Sequence, residues 1–244
     1  MLKNTFIHIP RVGDKTEQTL WENQVRRWED AISTDLPLGP KTSERVTKHA
    51  EQSKQALESG SHEPFLDLPN NETWRAYPEL KERTAFIDIE TTGLDKYTNT
   101  ITTVAVTDHE QTTVFIKDQN LYELPIYLQQ YNHLVTFNGR QFDLPFIEHY
   151  FETFKANHIH TDLRFTLKSL GHTGGLKRIE AELGVSRDLD DVDGREAVKL
   201  WRQYDMHGDE DALERLIHYN KEDTKNLKDL LEYAYEKKRE DKPI

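Results

Sequence analysis

Five strings rich in β-branched residues in the middle of the chain constrain the fold most strongly. Thr84–Glu90, Ile101–Asp108 and Thr112–Lys117 follow one another with short turns between them, which predicts a meander of three strands. His133–Phe137 and His158–Phe165 follow as a fourth and a fifth strand, with a helical segment between them. Strands that first follow one another directly and then alternate with helices predict an α/β fold with a mixed five-stranded sheet flanked by helices.

The helices of this fold are predicted from the spacing of apolar residues and from residue type. The predicted helices are Leu121–Tyr131, Leu144–Phe154, Leu176–Leu183, Glu196–Tyr204 and a long last one from about Ala212 to Lys237. The chain is therefore expected to be helical throughout after its fifth strand.

Residues 1–73 differ from residues 74–244 in their pattern of apolar and polar residues, and we predict a small helical N-terminal region followed by the main domain. Thr16–Ile32 carries apolar residues close to helical spacing. Lys41–Ser59 is polar with few large apolar residues, which is typical of a solvated helix or a mobile segment. Turn-forming residues at 60–64 and 68–72 indicate a linker between the two regions.

One N-terminal string, Ile9–Trp21, looks somewhat like a helix-hairpin-helix element. In such an element a glycine turn presents backbone amides to a phosphate at the start of a helix. Arg11 stands where a glycine is expected. Binding of DNA by this string and a plain helical appendage are therefore both open.

Composition excludes several classes of protein and of site. Without cysteine the chain can form neither a disulfide framework nor a thiolate zinc site, and its eleven histidines show no clear zinc-ligand spacing. No apolar run approaches the roughly 20 residues that span a bilayer, and the N-terminus lacks the apolar stretch of a signal peptide. We therefore expect a cytoplasmic protein that is not inserted in a membrane.

The net charge of −12 argues against nucleic-acid binding through a broad basic surface. A site that holds divalent cations inverts the local field, however, so that phosphates can meet metal ions instead of lysines. Single cations near the sites described below, Arg140, Lys168, Lys177, Arg178 and Lys221, are either solvated surface residues or phosphate contacts.

Two acids stand on the first predicted strand, in Phe86–Gly93 (FIDIETTG). Asp88 and Glu90 are two residues apart, so their side chains point to the same face of the strand, while the isoleucines between and before them take the other face. Like charges side by side on a core strand repel each other and are costly to desolvate, and a cation between them resolves both problems. The alternative is an edge strand with two solvated acids.

A third acid, Asp143, is expected at the start of the helix that follows the fourth strand, in the string Asn138–Asp143. The helix dipole favours a carboxylate at this position, so Asp143 is either a simple N-cap or a metal ligand. Asp162, on the fifth strand, is either a supporting carboxylate near the site or a solvated residue at the end of its strand.

A fourth acid, Asp223, follows Tyr219 by four residues on the last predicted helix, which stacks the two side chains on one face. A phenol or an imidazole near a metal site can orient or deprotonate an attacking water. His218 also precedes Asp223 closely, but it points about 100° away from Tyr219 around the helix. Tyr219 and His218 are therefore competing candidates.

The three acidic strings together, in this order on a strand, a helix start and a late helix, resemble the DEDD superfamily of 3′→5′ exonucleases, which have an RNase H-like fold. The strings Asn138–Asp143 and Tyr219–Asp223 are similar to those of the proofreading exonuclease domain of family B DNA polymerases. The chain resembles the YprB-like family of this superfamily over roughly residues 74–235, including the strings WRAYP at 74–78, GLKRIE at 175–180 and GREA at 194–197.

This resemblance implies that four acids ligate two Mg²⁺ or Mn²⁺ ions and that Tyr219 places the chain in the Tyr-type subgroup, with His218 as the alternative. The implied metal ligands are Asp88, Glu90, Asp143 and Asp223. From the hydroxyls, backbone amides and charge that they offer, the residues that we expect to contact the substrate are Thr91, Thr92, Gly93, Asn138 and Arg140.

The implied function is hydrolysis of phosphodiester bonds in single-stranded or frayed nucleic acid by a two-metal 3′→5′ exonuclease, with single-stranded DNA preferred to RNA. Two alternatives stay open: a non-catalytic nucleic-acid-binding module with the same fold, and an endonuclease that uses the same site.

Overall fold

A five-stranded sheet forms the centre of the computed structural model, which describes residues 1–188, 192–240 and 242. The strands are β1 (Thr84–Thr91), β2 (Ile101–Thr107), β3 (Thr112–Ile116), β4 (His133–Thr136) and β5 (Ile159–Asp162), arranged in the order β3-β2-β1-β4-β5. β2 is antiparallel to β1 and β3, whereas β4 is parallel to β1 and β5. The predicted mixed five-stranded α/β sheet is confirmed.

Helices cover both faces of the sheet and form the N-terminal region. They are α1 (Asp14–Glu22), α2 (Trp28–Ser33), α3 (Pro40–Ser59), α4 (Tyr77–Leu80), α5 (Leu124–Leu128), α6 (Asp143–Tyr150), α7 (Leu163–Lys168), α8 (Leu176–Leu183), α9 (Gly194–His207) and α10 (Glu210–Glu240). None of the helices in the described ranges is both long and apolar enough to cross a membrane.

Side chains of the central strand β1 alternate between two apolar clusters. Ile87 and Ile89 pack with Phe146 and Ile147 of α6 on one face of the sheet. Phe86 points to the other face, where it packs with apolar residues of α10. The period of two along a strand therefore places Asp88 and Glu90 on the face that α10 covers.

The long helix α10 contacts two different partners along its length. Its first turns pack against Trp201 of α9 through Leu213 and Leu216. Its later turns pack against the sheet through Leu227 and Leu230. The stretch between these two contacts crosses β1, so that residues 219–223 face the acidic end of that strand.

Several of the predicted boundaries were wrong, among them those of the fifth strand and of the segment Thr16–Ile32. The fifth strand ends at Asp162 instead of Phe165, because the Asp162 carboxylate accepts a hydrogen bond from the Arg164 amide and caps α7. The single predicted helix Thr16–Ile32 is two helices, with Gln24 at a φ of 68° in the break between them. The spacing of apolar residues records neither a side-chain cap nor a left-handed residue, so it missed both ends.

The N-terminal helices pack around an apolar cluster in which Phe6, Trp28 and Phe65 are buried, and Ile159 of β5 also belongs to it. Lys41–Ser59 forms most of α3, whose Val46 and Ala50 are fully buried in this cluster. Of the two interpretations of this segment, a helix is correct, and it is buried along one face. The predicted division at residue 73 and the helix-hairpin-helix hypothesis stay predictions.

A buried arginine joins the N-terminal region to the residues that precede the sheet. The guanidinium of Arg75 donates to Glu72 at 2.6 Å, to Glu17 at 2.8 Å and to the Thr5 hydroxyl at 2.7 Å. Arg75 is fully buried, and Glu17 is only 2% exposed. Because each charge is shielded from water, each depends on the others for its solvation.

We predict that Arg75→Ala lowers the free energy of unfolding by about 3–5 kcal/mol, because it leaves the Glu17 carboxylate buried without a counter-charge. Urea denaturation followed by circular dichroism measures this change. Lys54→Ala is the control, because Lys54 and Glu29 form a half-exposed ion pair at 4.0 Å, and its loss costs less than about 1 kcal/mol. Equal effects of the two substitutions would contradict the assignment of Arg75 as the anchor.

Candidate active site

Three carboxylates from β1 and α10 converge at the centre of the sheet. Asp88, Glu90 and Asp223 each place one carboxylate oxygen within 4.8 Å of the others. The Asn220 amide nitrogen, one turn before Asp223 on α10, donates to the Asp88 carboxylate at 2.6 Å and to the Asp88 carbonyl at 3.1 Å. Asn220 therefore fixes the orientation of Asp88 relative to α10.

Asp143, the fourth predicted acid, lies against the same strand. It is the first residue of α6 and is 4% exposed, and the backbone of Ile89 lies close enough to lower the pKa of its carboxyl. Its charge repels those of Asp88 and Glu90. Phe142 occupies the N-cap position of α6, so the alternative that Asp143 is a simple N-cap is wrong.

The four carboxyls hold their protons more tightly than ordinary acids. Burial is the larger cause, and repulsion from the other acids the smaller one, that raises the pKa of Asp88 and of Glu90 well above the usual range. Burial raises the pKa of Asp143 to about 7. Burial also raises the pKa of Asp223 to about 6, although a neighbouring arginine opposes this change.

Carboxylates that repel one another at short range form a donor set suited to a hard divalent cation. Mg²⁺ and Mn²⁺ prefer oxygen ligands, and this cluster offers only oxygen. The side-chain carbonyl of Asn220 is also buried at this cluster and has no hydrogen-bond partner within the described residues. The residues present therefore fit the divalent metal that the sequence predicted.

Arg187 provides the positive charge that the cluster has in this structure, and the sequence prediction missed it. Its guanidinium donates to Asp223 and, at 2.7 and 2.9 Å, to the fully buried Glu180. The Arg187 side chain is only 3% exposed. One signal was present in the sequence: Glu180 follows Ile179 on the apolar face of α8, where an acid requires a buried partner.

The two candidates for orienting water occupy different environments. Tyr219 is 8% exposed, its phenol lies close enough to Asp223 to lower the pKa of that carboxyl, and its ring lies 5.5 Å from the Arg187 guanidinium. His218 is 54% exposed in its side chain and lies 3.7 Å from Asp188, beside a separate surface cavity. The structure brings Tyr219, and not His218, to the acids.

The turn after β1 is held by hydrogen bonds of its own. The Thr91 hydroxyl donates to the Gly93 carbonyl at 2.7 Å, and the Thr92 hydroxyl bonds to the Asn99 side chain at 3.2 Å. A Cβ at Gly93 would lie 2.5 Å from the Asn99 side-chain oxygen, so a larger residue here would displace the Asn99 side chain. The Thr92 amide donates to the Thr100 carbonyl, so it is already used within the turn.

The turn before α6 is organised by Asp162. Its carboxylate accepts hydrogen bonds from the amides of Asn138 at 2.8 Å and of Arg140 at 3.1 Å. Asn138 has a left-handed φ of 67°, which asparagine tolerates better than most residues. A Cβ at Gly139 would lie 2.3 Å from the Thr136 hydroxyl. Asp162 is 3% exposed, so it is a supporting carboxylate and not a solvated one.

Comparison with known proteins agrees with this fold. Residues 85–235 match the model of the RNase H superfamily. The chain belongs to this superfamily. An uncharacterized protein of Methanocaldococcus jannaschii is 26% identical to it over 155 residues, which cover 57% of this chain and 88% of that protein.

Two solved structures are similar at low identity. A family B DNA polymerase of Pyrobaculum calidifontis has a TM-score of 0.48 and 14% identity. The match covers 61% of the chain described here but only 24% of the polymerase. NrnC of Brucella melitensis has a TM-score of 0.44 and 20% identity over 68% of this chain and 79% of NrnC. Assignment to the superfamily rests on the match of residues 85–235.

We predict that the stability of the metal-free protein falls relative to that of Asp143→Asn as the pH rises from about 4 to about 7, because the Asp143 carboxyl, whose pKa rises from 3.8 to about 7, binds more protons in the folded state than in the unfolded chain. Buried histidines, whose pKa values burial lowers, act in the opposite direction in both proteins, so the difference between the two profiles isolates the carboxyl. Urea denaturation in EDTA at several pH values measures both profiles. Superimposable profiles for the two proteins would contradict the prediction.

Proposed function

We propose that this protein is a metal-dependent nuclease that hydrolyses phosphodiester bonds of single-stranded or frayed nucleic acid, with the 3′→5′ polarity of an exonuclease. The convergence of Asp88, Glu90 and Asp223 within 4.8 Å carries the proposal. A cluster of buried acids costs stability in a folded protein unless a cation binds there. The RNase H superfamily match and the buried Asp143 beside the cluster support the same interpretation.

The four acids Asp88, Glu90, Asp143 and Asp223 would hold two Mg²⁺ or Mn²⁺ ions. When bound, such ions lower the pKa of an attacking water and neutralise charge on the leaving oxygen of the phosphodiester. Asn220 holds the Asp88 carboxylate in a fixed orientation through the hydrogen bond at 2.6 Å.

Tyr219 is proposed to position the attacking water. Burial and the charge of Asp223 raise the pKa of its phenol above the ordinary value, so the hydroxyl stays protonated at neutral pH. A neutral phenol orients a water by hydrogen bonding and does not act as a base that removes its proton. The proton of the water must therefore pass to another group or to solvent.

Arg187 is proposed to compete with a metal ion for Asp223, because its guanidinium already contacts that carboxylate. We predict that Arg187→Gln tightens Mn²⁺ binding, measured by isothermal titration calorimetry. This substitution also leaves the buried Glu180 without its ion pair. The double variant Glu180→Gln/Arg187→Gln removes both charges of that pair and is therefore the control. Weaker Mn²⁺ binding in both variants would contradict the competition.

The proposed activity is tested with 5′-labelled single-stranded DNA and RNA of the same sequence. We predict a ladder of products that requires Mn²⁺ or Mg²⁺ and that Asp88→Ala reduces at least about 100-fold, since a metal ligand is lost. Asp205→Ala, which removes an exposed acid of α9, is the control and leaves the rate unchanged. Hydrolysis without a metal, or at the wild-type rate in Asp88→Ala, would refute the proposal.

Circular and 3′-blocked substrates separate the two kinds of nuclease. An exonuclease of 3′→5′ polarity degrades neither, whereas an endonuclease cleaves both. Binding of the labelled strands without any hydrolysis would instead indicate a non-catalytic binding module.

We predict that Tyr219→Phe lowers kcat by about 10- to 100-fold, because the hydroxyl that positions water is lost while the acids stay in place. His218→Ala keeps at least about half of the wild-type rate, since this residue lies away from the acids. Mn²⁺ titration of both variants verifies that the acid cluster still binds metal. A larger loss in His218→Ala than in Tyr219→Phe would reverse the assignment.

A further inference from the structure

A small groove lies beside the turn that leads from β4 to Asp143. Its volume is about 290 Å³. It is lined by Gln141, Arg164, Phe165, Lys168, Thr173 and Gly174. Three of these residues belong to the solvent-facing side of α7, because Leu163, Thr166 and Leu167 occupy the buried side of that helix. The helical period therefore turns Arg164, Phe165 and Lys168 toward solvent.

Cations at this groove lack acidic partners although acids outnumber basic residues in the chain, 44 to 32. Arg164 and Lys168 line the groove, and Arg140 and Arg178 flank it next to Gln141 and Gly174. Across the described ranges, none of these four basic side chains forms an ion pair with an acid. A group of unpaired cations in an acidic protein raises the local concentration of anions.

An exposed aromatic ring accompanies these cations. Phe165 is 42% exposed, between Arg164 and the next turn of α7. An anion alone requires no aromatic surface, and an apolar partner requires no cations. Cations and an aromatic face together are the combination that binds single-stranded nucleic acid, since phosphates contact the cations and a base stacks on the ring.

Hydrogen bonds connect the groove to the turn that precedes Asp143. Arg164 donates from its guanidinium to the Asn138 side-chain oxygen at 2.6 Å. Asp162 accepts hydrogen bonds from the amides of Asn138, Arg140 and Arg164, so one carboxylate ties the groove to the turn before Asp143. The groove therefore adjoins the turn that leads to Asp143.

We propose that this groove is a subsite for single-stranded nucleic acid, in which Arg164 and Lys168 bind phosphates and Phe165 stacks on a base away from the bond that is cleaved. The proposal rests on the proposed nuclease function, because it assigns the groove to the substrate of that site. It makes Phe165 a residue that determines preference for unpaired strands, since a paired base has no free face to offer.

Binding of a 5′-fluorescein-labelled thymidine 12-mer to the full-length protein in Ca²⁺, measured by fluorescence anisotropy, tests the subsite. Phe165→Ala is expected to weaken binding about tenfold without changing its salt dependence, and Phe165→Trp is expected to restore it. Lys168→Ala is expected to lower the slope of log K against log salt by about 0.7. Arg164→Lys retains the charge, so it is expected to keep the slope of the wild type.

Arg202→Ala is the matched control, because Arg202 is an exposed cation on α9 away from the groove. Wild-type affinity in both Phe165→Ala and Lys168→Ala, or an equal loss in Arg202→Ala, would overturn the subsite. Competition by polyglutamate as strong as that by unlabelled 12-mer would also overturn it, since the groove would then be a general anion site.

A hydrolysis assay with a dinucleotide and a 12-mer separates failure of the subsite from failure of the nuclease function. Phe165→Ala is expected to raise KM for the 12-mer and to leave the dinucleotide rate unchanged. If the protein hydrolyses neither substrate but the groove variants still bind the 12-mer more weakly than the wild type, the nuclease function is refuted and the binding groove is retained. Normal hydrolysis of both substrates by Phe165→Ala would refute the subsite and retain the nuclease.

Discussion

Mutual repulsion among acids on a buried strand face is the interaction on which the rest of this site depends. Asp88 and Glu90 face α10 because the strand period sends the intervening isoleucine into the opposite apolar cluster. Asp223 then approaches from α10, so that a third charge enters the same space. Neutralisation comes here from Arg187 and from the raised pKa values of the acids, and a divalent cation would provide it more completely.

The helix α10 couples stability to the proposed chemistry. Its apolar residues Leu227 and Leu230 fasten it to the sheet, and its Leu213 and Leu216 fasten it to α9. The same helix carries Tyr219, Asn220 and Asp223 between these contacts. Because packing on both sides determines where this stretch lies, the geometry of the acids depends on the core and not on a flexible loop.

Much of this arrangement was predictable from local patterns. The β-branched content of Thr84–Glu90 predicted the strand, and the strand period predicted the shared face of its acids. The spacing of Tyr219 and Asp223 predicted their common helix face. The ion pair of Arg187 with Asp223 was missed, because the residues after α8 meet α10 only through tertiary packing, and the one local signal was the acid at Glu180. The end of β5 was also missed, since a side-chain cap at Asp162 replaced the expected strand.

The central claim is that the acids on β1 and α10 form a divalent metal site. Its most direct test is an anomalous difference map from a crystal of the protein soaked in Mn²⁺, recorded above the manganese absorption edge. The account predicts a peak among the carboxylates of Asp88, Glu90 and Asp223, with the Arg187 guanidinium moved away from Asp223. A map with no peak at these carboxylates, and with Arg187 still paired to Asp223, would contradict it.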